Sequence, residues 1–316
     1  MKRPQVSVVI ALYNEADNIQ LLLNKSKAAL QHLDYELILV DDGSTDGSAA
    51  VIKKYLHPDM KLIVLRKNYG QSAAMAAGIN AARGEFIVTM DADLQNDPTD
   101  IPVMLEKLQA EDCDLVAGIR AKRMDNWLRK IPSRLANKLI RSTTGVTLHD
   151  YGCTLKVYRQ DLAKNLGLYG DMHRFIPVLA AMQGASMCEM PVKHHPRIHG
   201  KSKYGIGRTA KVLSDLLLIL FIQKYFQRPM HIFGPIGLLL FFSGLVINGY
   251  LLVDKMLGKE IGGRPLLILG VMLLLAGLQL IIFGFVAEIL MRTYYESQHK
   301  KIFRIRSVIE FNNVLT

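Results

Sequence analysis

The sequence predicts an α/β domain with a doubly wound, mostly parallel β-sheet, followed by interface helices and two transmembrane helices. Three observations lead to this prediction. Short runs of β-branched and aliphatic residues alternate with helical patterns, polar clusters follow these runs, and two long apolar stretches lie near the C-terminus. Ligands of such sheets bind at the carboxyl ends of the strands, so we expect the polar clusters to form a site.

The alternation covers the first 90 residues. Strands are predicted at residues 6–10, 36–40, 61–65 and 85–90. Helices are predicted after each of the first three strands. The first carries Ile19, Leu22 and Leu23 on one face, the second runs through Ile52 and Tyr55, and the third covers about 73–82.

Two carboxylates and an amide follow the fourth predicted strand, at Asp91, Asp93 and Gln95. Residues i and i+2 of an extended chain point to the same side, so Asp91 and Asp93 can face one ion. Carboxylate and amide oxygens are ligands for Mg²⁺ or Mn²⁺. One interpretation is a metal that holds the phosphates of a nucleotide. The other is a solvated turn, because any acidic loop matches so short a pattern.

The second and third predicted strands also end in polar residues. Asp42 is well placed to accept a hydrogen bond from a nucleotide base or ribose. Alternatively, residues 41–47 only start a helix, with Ser44 or Thr45 as its cap. Residues 66–71 bring cations and a glycine to the same edge, where a diphosphate could also use a helix N-terminus. The alternative for this segment is an ordinary solvated turn.

Several segments together resemble a known family. Residues 8–15, 40–46, 66–71 and 91–95 resemble the family 2 nucleotide-sugar glycosyltransferases of the Rossmann-like GT-A fold. Residues 150–153, 173–177 and 196–204, followed by two apolar stretches, resemble its polyisoprenyl-phosphate branch, which includes dolichol-phosphate mannose synthase and bactoprenol glucosyltransferases. The resemblance implies inverting transfer of one sugar from a UDP- or GDP-sugar to undecaprenyl or dolichyl phosphate. UDP-glucose is the favoured donor, with GDP-mannose or an amino-sugar donor as alternatives.

The resemblance also implies residue roles. The metal ligands, for Mg²⁺ or Mn²⁺, are Asp91, Asp93 and Gln95. The residues that bind the nucleotide-sugar are Ala11, Tyr13, Glu15, Asp42, Asn68, Gln71, His173, Arg174, Arg197, Ser202 and Lys203. The acceptor phosphate is held by Arg120, Arg134 and Lys138, and the catalytic set is Asp91, Asp93, Arg120 and Arg134.

Residues 120–141 combine an apolar stripe with a basic one. The apolar members are Trp127, Leu128, Ile131, Leu135 and Leu139, and the basic members are Lys130, Arg134, Lys138 and Arg141. A helix on an anionic bilayer surface is one interpretation. A helix packed on the sheet with a solvated basic face is the other. A second amphipathic segment, residues 210–226, leads towards the first apolar stretch.

The apolar stretches, residues 232–253 and 265–291, each exceed the ~20 residues that a spanning helix needs. A buried helix pair in a soluble protein is the alternative. Basic residues flank both outer ends, which predicts an integral inner (plasma) membrane protein whose catalytic domain and termini are cytoplasmic. The predicted parts are a catalytic domain (1–208), an interface helix (209–229), a transmembrane hairpin (230–291) and a cytosolic tail (292–316). Small residues suited to close helix packing, and so to homo-oligomers, are Gly234, Gly237, Ser243 and Gly244.

Composition narrows the remaining function classes. The formal net charge of +11 fits nucleic acid, an anionic membrane or phosphorylated ligands. Nucleic acid is not expected as a partner, because the basic residues lie beside apolar helices rather than among stacking aromatics. Three cysteines without C-x-x-C spacing predict neither disulfides nor a zinc site, and hence a reducing setting. The first residues lack an apolar stretch, so no cleavable signal peptide is expected. The non-enzymatic alternative is a membrane scaffold, and intact Asp91, Asp93 and Gln95 argue against it.

Overall fold

A computed structural model describes residues 3–120, 146, 148–168, 170, 172–197, 229–296 and 305–310. The chain forms two compact units. One contains Met1–Asp215 together with Lys301–Thr316, and the other contains Leu216–Lys300. The segment 210–226 and all but the first residue of the segment 120–141, both predicted to be amphipathic, lie outside the described residues.

The elements of the first unit alternate along the chain. Its strands are β1 (Val6–Leu12), β2 (Tyr35–Asp41), β3 (Met60–Leu65), β4 (Phe86–Asp91), β5 (Leu115–Arg120), β6 (Lys156–Arg159), β7 (Met187–Val192) and β8 (Ile305–Glu310). Its helices are α1 (Ala16–Leu30), α2 (Ser48–Lys54), α3 (Gln71–Ala81), α4 (Asp100–Ala110), α5 (Gln160–Asn165) and α6 (Ile176–Met182), with a 3₁₀ turn at Met172–Phe175. The four predicted strands and three predicted helices are confirmed, with ends that shift by a few residues.

The strands form one sheet in the order β7-β5-β6-β4-β1-β2-β3-β8. Strands β4, β1, β2 and β3 are parallel neighbours, whereas β6 runs antiparallel to both β4 and β5. The predicted doubly wound, mostly parallel sheet is therefore confirmed. Strand β1 lies between β2 and β4, so the winding direction switches there. Such a switch point opens a crevice at the carboxyl ends of the strands.

The middle of the sheet is buried on both faces. All seven residues of β1 and six of the seven in β2 are buried, which is typical of parallel strands covered by helices. Helix α1 buries Ile19, Leu22 and Leu23, the face predicted from their spacing. Since this core fixes the strands in register, it also fixes where each strand ends.

Strand β8 lies in the part of the chain predicted to be a cytosolic tail. It pairs antiparallel with β3, and Ile305 lies opposite Leu65. The chain therefore returns to the sheet after the second long apolar helix and covers the edge of β3. No local pattern in the sequence predicts a pairing between two strands that lie so far apart in the chain.

Cys113 and Cys188 form a disulfide with their Cα atoms 6.2 Å apart, which the cysteine count did not predict. The prediction of unpaired cysteines is wrong for these two residues and holds for Cys153, which is free and buried. The two cysteines meet because of the tertiary structure. Cys113 precedes β5, and β5 pairs with β7, which places the two residues together across 75 positions of sequence.

The second unit contains two long apolar helices, α7 (Met230–Met256) and α8 (Pro265–Glu296). Both are long and apolar enough to cross a membrane. Only 17% of the apolar stretch of α7 and 11% of that of α8 are buried within the protein. A helix pair in a soluble core would bury most of this surface, so the exposed apolar side chains favour lipid as their surroundings.

Glycines bring α7 and α8 together. A Cβ atom added at Gly277 would lie 2.5 Å from the Phe241 nitrogen and 2.6 Å from the Gly237 oxygen. One added at Gly244 would lie 2.6 Å from the Leu274 nitrogen. Gly237 and Gly244, which the sequence offered for self-association, are therefore used inside the hairpin, where small residues let backbones approach.

An ion cluster closes the turn of the hairpin. The Asp254 carboxylate lies 2.8 Å from Lys259 Nζ and 2.9 Å from Arg264 Nη1. The acidic and basic residues of this turn thus fix the end of α7 to the start of α8.

We expect Gly277→Ala to destabilise the hairpin by about 1–3 kcal/mol, because the added methyl meets backbone atoms of α7 that cannot move independently. The measurement is thermal unfolding of the full-length protein in detergent. Gly249→Ala is the matched control, since nothing lies within 4 Å of its added Cβ. Equal unfolding midpoints for the two variants would contradict the packing described.

Candidate functional site

The predicted metal segment leaves the sheet at the carboxyl end of β4. Asp91 is the last residue of β4 and lies opposite Ala11 of β1. Leu94 adopts φ = 61°, a left-handed conformation that costs free energy for a bulky residue. Its side chain is buried in the core, which holds the turn in place. The core thus fixes Asp93 and Gln95 on either side of Leu94.

Asp91 accepts hydrogen bonds on both of its carboxylate oxygens. Gln71 Nε2, at the start of α3, donates to Oδ1 over 2.6 Å. Thr154 Oγ1 donates to Oδ2 over 2.9 Å. Burial and the negative charge of Asp93 raise the pKa of the Asp91 carboxyl, against the lowering effects of Thr154, Lys156 and Arg197.

Asp93 forms an ion pair with Arg197. The Nη2 atom lies 2.6 Å from Asp93 Oδ2, and both side chains are largely buried. The segment that carries Arg197 is held against the residues that follow β4. The backbone amide of His195 donates to the Gln95 carbonyl over 2.9 Å, and the Nε2 atom of His195 lies 2.9 Å from Asp97 Oδ2. Burial raises the pKa of Asp97, but hydrogen bonds from His195 and Thr99 outweigh it and lower the pKa to about 2.

These residues fit a hard divalent metal. Asp91, Asp93 and the Gln95 side chain offer only oxygen ligands, the set that Mg²⁺ and Mn²⁺ prefer. Asp91 ends β4 and Asp93 follows two residues later, and the negative charge of Asp93 contributes to the raised pKa of Asp91. A cationic guanidinium already lies on Asp93. The negative charge of the two carboxylates therefore favours a cation beside Asp91 and Asp93.

Asp42 holds the neighbouring loop. Its Oδ1 accepts from the Tyr69 amide over 2.7 Å and its Oδ2 from the Gly70 amide over 2.9 Å. Burial raises the pKa of Asp42, and these two hydrogen bonds oppose the rise. Gly43 has φ = 74°, and an added Cβ would lie 2.5 Å from the Lys67 carbonyl carbon. Asp42 therefore lies at the predicted edge and orients residues 66–71 there.

The loop after β1 is tied to the loop after β2. Ser44 Oγ accepts from the Asn14 amide over 2.9 Å, and Asn14 Oδ1 accepts from the Thr45 amide over 2.8 Å. The alternative in which Ser44 or Thr45 caps α2 is wrong, because α2 begins at Ser48 without a side-chain cap and both residues bind Asn14 instead. Tyr13 and Glu15 are half-buried in the same loop.

Residues predicted to contact the donor sugar lie on the 3₁₀ turn. His173 is buried, its Nδ1 lies 2.9 Å from Ser72 Oγ, and its amide donates to the same oxygen over 3.0 Å. The turn is thereby fixed to the start of α3, next to Gln71. Arg174 is half-buried on this turn, and Asn68 is exposed on the loop after β3.

Arg120 ends β5, at the same edge of the sheet as Asp91. Its Nε and Nη2 atoms bind the two Asp150 oxygens over 2.6 and 2.8 Å in a bidentate ion pair. Both side chains are mostly buried. The sequence proposed Arg120 for the acceptor phosphate and did not identify Asp150, whose contact spans 30 residues.

A buried lysine accompanies this pair. Lys156 is 1% exposed, and its Nζ donates to the Cys153 carbonyl. Burial lowers the pKa of Lys156, while the charges of Asp150 and Asp91 act in the opposite direction. Sequence reasoning missed Lys156, Thr154 and Asp150 as parts of the site, although they lie in or beside segments that carried the resemblance. Four predicted site residues lie outside the described residues: Arg134, Lys138, Ser202 and Lys203.

Comparison with known proteins identifies relatives over nearly the whole chain. The model of "Glycosyl transferase family 2" matches residues 7–167. The chain is 45% identical over 315 residues to the dodecaprenyl-phosphate galacturonate synthase of Rhizobium johnstonii, covering 97% of this chain and 93% of that protein. It is 36% identical over 313 residues to the undecaprenyl-phosphate 4-deoxy-4-formamido-L-arabinose transferase of Edwardsiella ictaluri, covering 97% and 95%.

Solved structures share the fold. Glucosyl-3-phosphoglycerate synthase from Mycobacterium tuberculosis, in complex with Mn²⁺, UDP and glucosyl-3-phosphoglycerate, superposes with a TM-score of 0.54 at 17% identity, covering 70% of this chain and 80% of that one. At this identity the likeness concerns the fold, which is the GT-A arrangement.

We expect Asp42→Asn to loosen the loop after β3, because an amide group replaces one of the two oxygens that accept backbone N–H bonds. Leaving one such group unpaired costs about 1–3 kcal/mol, so hydrogen exchange of the Tyr69 and Gly70 amides should accelerate roughly 10-fold or more. Exchange measured by mass spectrometry on peptides covering residues 66–75 tests this. The control is Asp59→Asn, because Asp59 is exposed and pairs only with the side chain of a surface histidine, His57, among the described ion pairs. Unchanged exchange in Asp42→Asn would refute the role.

Proposed function

The chain belongs to glycosyl transferase family 2, as a polyprenyl-phosphate glycosyltransferase of the GT-A fold, and on this premise we propose that it moves one uronic acid residue from a nucleotide-sugar to a polyprenyl phosphate. The transfer inverts the anomeric centre, depends on a divalent metal and takes place at the cytoplasmic face of the inner membrane. The observation that carries the proposal is the convergence of Asp91, Asp93 and Arg197 at the carboxyl edge of the sheet.

The uronic acid is favoured by the relative at 45% identity, whose name specifies galacturonate. This choice replaces the UDP-glucose that the motifs alone favoured. An amino sugar is the second candidate, because the relatives near 36% identity are named for a formamido-arabinose. The acceptor follows from the same names, since both specify a polyprenyl phosphate.

Asp91, Asp93 and Gln95 are proposed to hold Mg²⁺ or Mn²⁺, and the Mn²⁺ complex of the M. tuberculosis synthase, which shares the fold, supports a divalent metal. When bound, the metal neutralises the departing nucleoside diphosphate. Arg197, already paired with Asp93, is proposed to bind the diphosphate with Ser202 and Lys203. Proposed contacts for the nucleotide are Ala11, Tyr13, Glu15, Asp42, Asn68 and Gln71, and for the donor sugar His173 and Arg174.

The acceptor needs little activation. The second pKa of a phosphate monoester is about 6, so its oxygens are mostly ionised near neutral pH and no strong general base is required. Positioning then matters most. Arg120, Arg134 and Lys138 are proposed to hold the attacking phosphate, and Asp150 fixes the Arg120 guanidinium through its bidentate ion pair.

The membrane topology is proposed from chain connectivity and charge. The chain up to Asp215 and the chain from Lys301 onwards both belong to the unit that contains the sheet, and β8 of the latter part pairs with β3. A hairpin of two spans leaves both of its outer flanks on the same side of a membrane. Basic residues flanking the two spans assign that side to the cytoplasm. We propose that the domain boundaries lie at residues 208, 229 and 291, as the sequence predicts. The tail after residue 291 contains β8, which adds a strand to the sheet of the catalytic domain. Homo-oligomers, if formed, would use the outward face of the hairpin.

A donor panel tests the substrate. Full-length protein in detergent is given labelled nucleotide-linked galacturonate, formamido-arabinose, glucose and mannose, each with undecaprenyl or dolichyl phosphate. We expect kcat/KM for galacturonate to exceed that for glucose at least roughly 10-fold, since a site built for a charged group discriminates strongly against its absence. A higher value for glucose or for the amino sugar would reject the uronic acid.

The metal assignment has its own test. Asp93→Asn keeps an acceptor for Arg197 but removes the charge, and transfer should fall on the order of 10²-fold or more at saturating Mn²⁺ or Mg²⁺. Asp112→Asn is the control, because this residue is exposed and its φ of 49° suits asparagine. Unfolding midpoints show whether both variants stay folded. Undiminished transfer by Asp93→Asn would exclude Asp93 as a ligand.

A further inference from the structure

Thr154 lies between Asp91 and a second buried amide. Its Oγ1 donates to Asp91 Oδ2 over 2.9 Å and accepts from Asn96 Nδ2 over 2.8 Å. A hydroxyl group has a single hydrogen and two lone pairs. Because Asn96 donates to one lone pair, the hydroxyl hydrogen is left to point at Asp91. Asn96 is itself 5% exposed, so water does not compete freely for this contact.

The backbone of Thr154 is fixed as well. Thr89 Oγ1, on β4, donates to the Thr154 carbonyl over 2.9 Å, and the same hydroxyl lies 3.1 Å from the Tyr158 hydroxyl on β6. Strands β4 and β6 are paired neighbours in the sheet. The backbone of Thr154 is therefore fixed beside β4, and its hydroxyl cannot turn away from Asp91 without breaking the hydrogen bond from Asn96.

Asp91 and Asp93 are held by different means. Asp93 is bound by the cation Arg197, whereas Asp91 is bound by the neutral donors Gln71 and Thr154. An ionised carboxylate offers about four lone-pair sites, and these two bonds use one on each Asp91 oxygen. Within the part of the chain that the structure describes, these bonds leave sites on both Asp91 oxygens for a cation. Neutral donors orient the carboxylate and, unlike an arginine, do not repel an incoming metal.

We propose that Thr154, oriented by Asn96, is a positioning residue that fixes Asp91 for divalent-metal binding. This inference rests on the proposed function, and neither Thr154 nor Asn96 was assigned a role by the sequence. Partners that hydrogen-bond a metal ligand typically change metal affinity by about 10–100-fold when they are removed. The expected effect is therefore a weaker metal site in a protein that is still folded.

The test measures Mn²⁺ binding to the full-length protein without donor, from the electron paramagnetic resonance signal of free Mn²⁺. Thr154→Val keeps the shape and removes the hydroxyl, and its Kd should rise about 10–100-fold. Thr154→Ser keeps the hydroxyl, and its Kd should stay within about 3-fold of the wild type. Thr154→Ala is a second variant without the hydroxyl, for use if the valine disturbs folding.

Asn96 supplies an independent arm. If it acts through Thr154, Asn96→Ala should weaken Mn²⁺ binding in the wild type and have little further effect in Thr154→Val. Unfolding midpoints of all variants separate a general loss of structure from loss of the site, since a purely structural threonine would lower the midpoint and leave Kd unchanged.

The outcomes are distinguishable. Wild-type binding of Mn²⁺ that is lost in Asp93→Asn, with an unchanged Kd in Thr154→Val and Thr154→Ala, would overturn this inference and leave the proposed function standing. A wild type that binds no Mn²⁺ would overturn the proposed metal site together with the inference. A 10-fold rise in Kd for the two variants, with Thr154→Ser near the wild type, is the result that we expect.

Discussion

The crowding of two carboxylates at the carboxyl end of β4 is the constraint on which the site depends. Asp91 and Asp93 repel each other in a partly buried place, so each must be compensated. Gln71 brings the start of α3 to Asp91, and Thr154 brings the segment before β6. Arg197 brings the chain beyond β7 to Asp93. Three distant parts of the chain therefore meet at these two carboxylates.

The neighbouring loops show the same use of acidic side chains. Both carboxylate oxygens of Asp42 accept hydrogen bonds from backbone amides of the loop after β3. Asp46 accepts hydrogen bonds from the amides of Ala16 and Ser48. These bonds lock the loops after β1, β2 and β3 to one another before any ligand arrives. A rigid edge of this kind lowers the ordering cost of binding a flexible nucleotide-sugar. Asp42, which the resemblance assigns to the nucleotide, therefore also holds the neighbouring loop in place.

The hairpin of α7 and α8 follows a different physical rule. Within lipid, no hydrophobic force distinguishes a neighbouring helix from the surrounding acyl chains, so close backbone packing holds helices together. Gly237, Gly244 and Gly277 meet this need within the hairpin. The ion cluster around Asp254 then closes the end where the chain turns. After α8, strand β8 returns the chain to the sheet of the first unit.

The sequence by itself determined the elements whose signal is local: the first four strands and three helices, the two apolar helices and the motifs of the family. Periodicity and apolar length act within a few residues, so they can be read directly from the chain. Only the tertiary structure decided the partners. Asp91 meets Thr154 across 63 positions, Cys113 meets Cys188 across 75, and Ser44 binds Asn14 rather than capping α2. A hydrogen bond needs its two groups only to be near in space, and the register of the sheet decides that nearness.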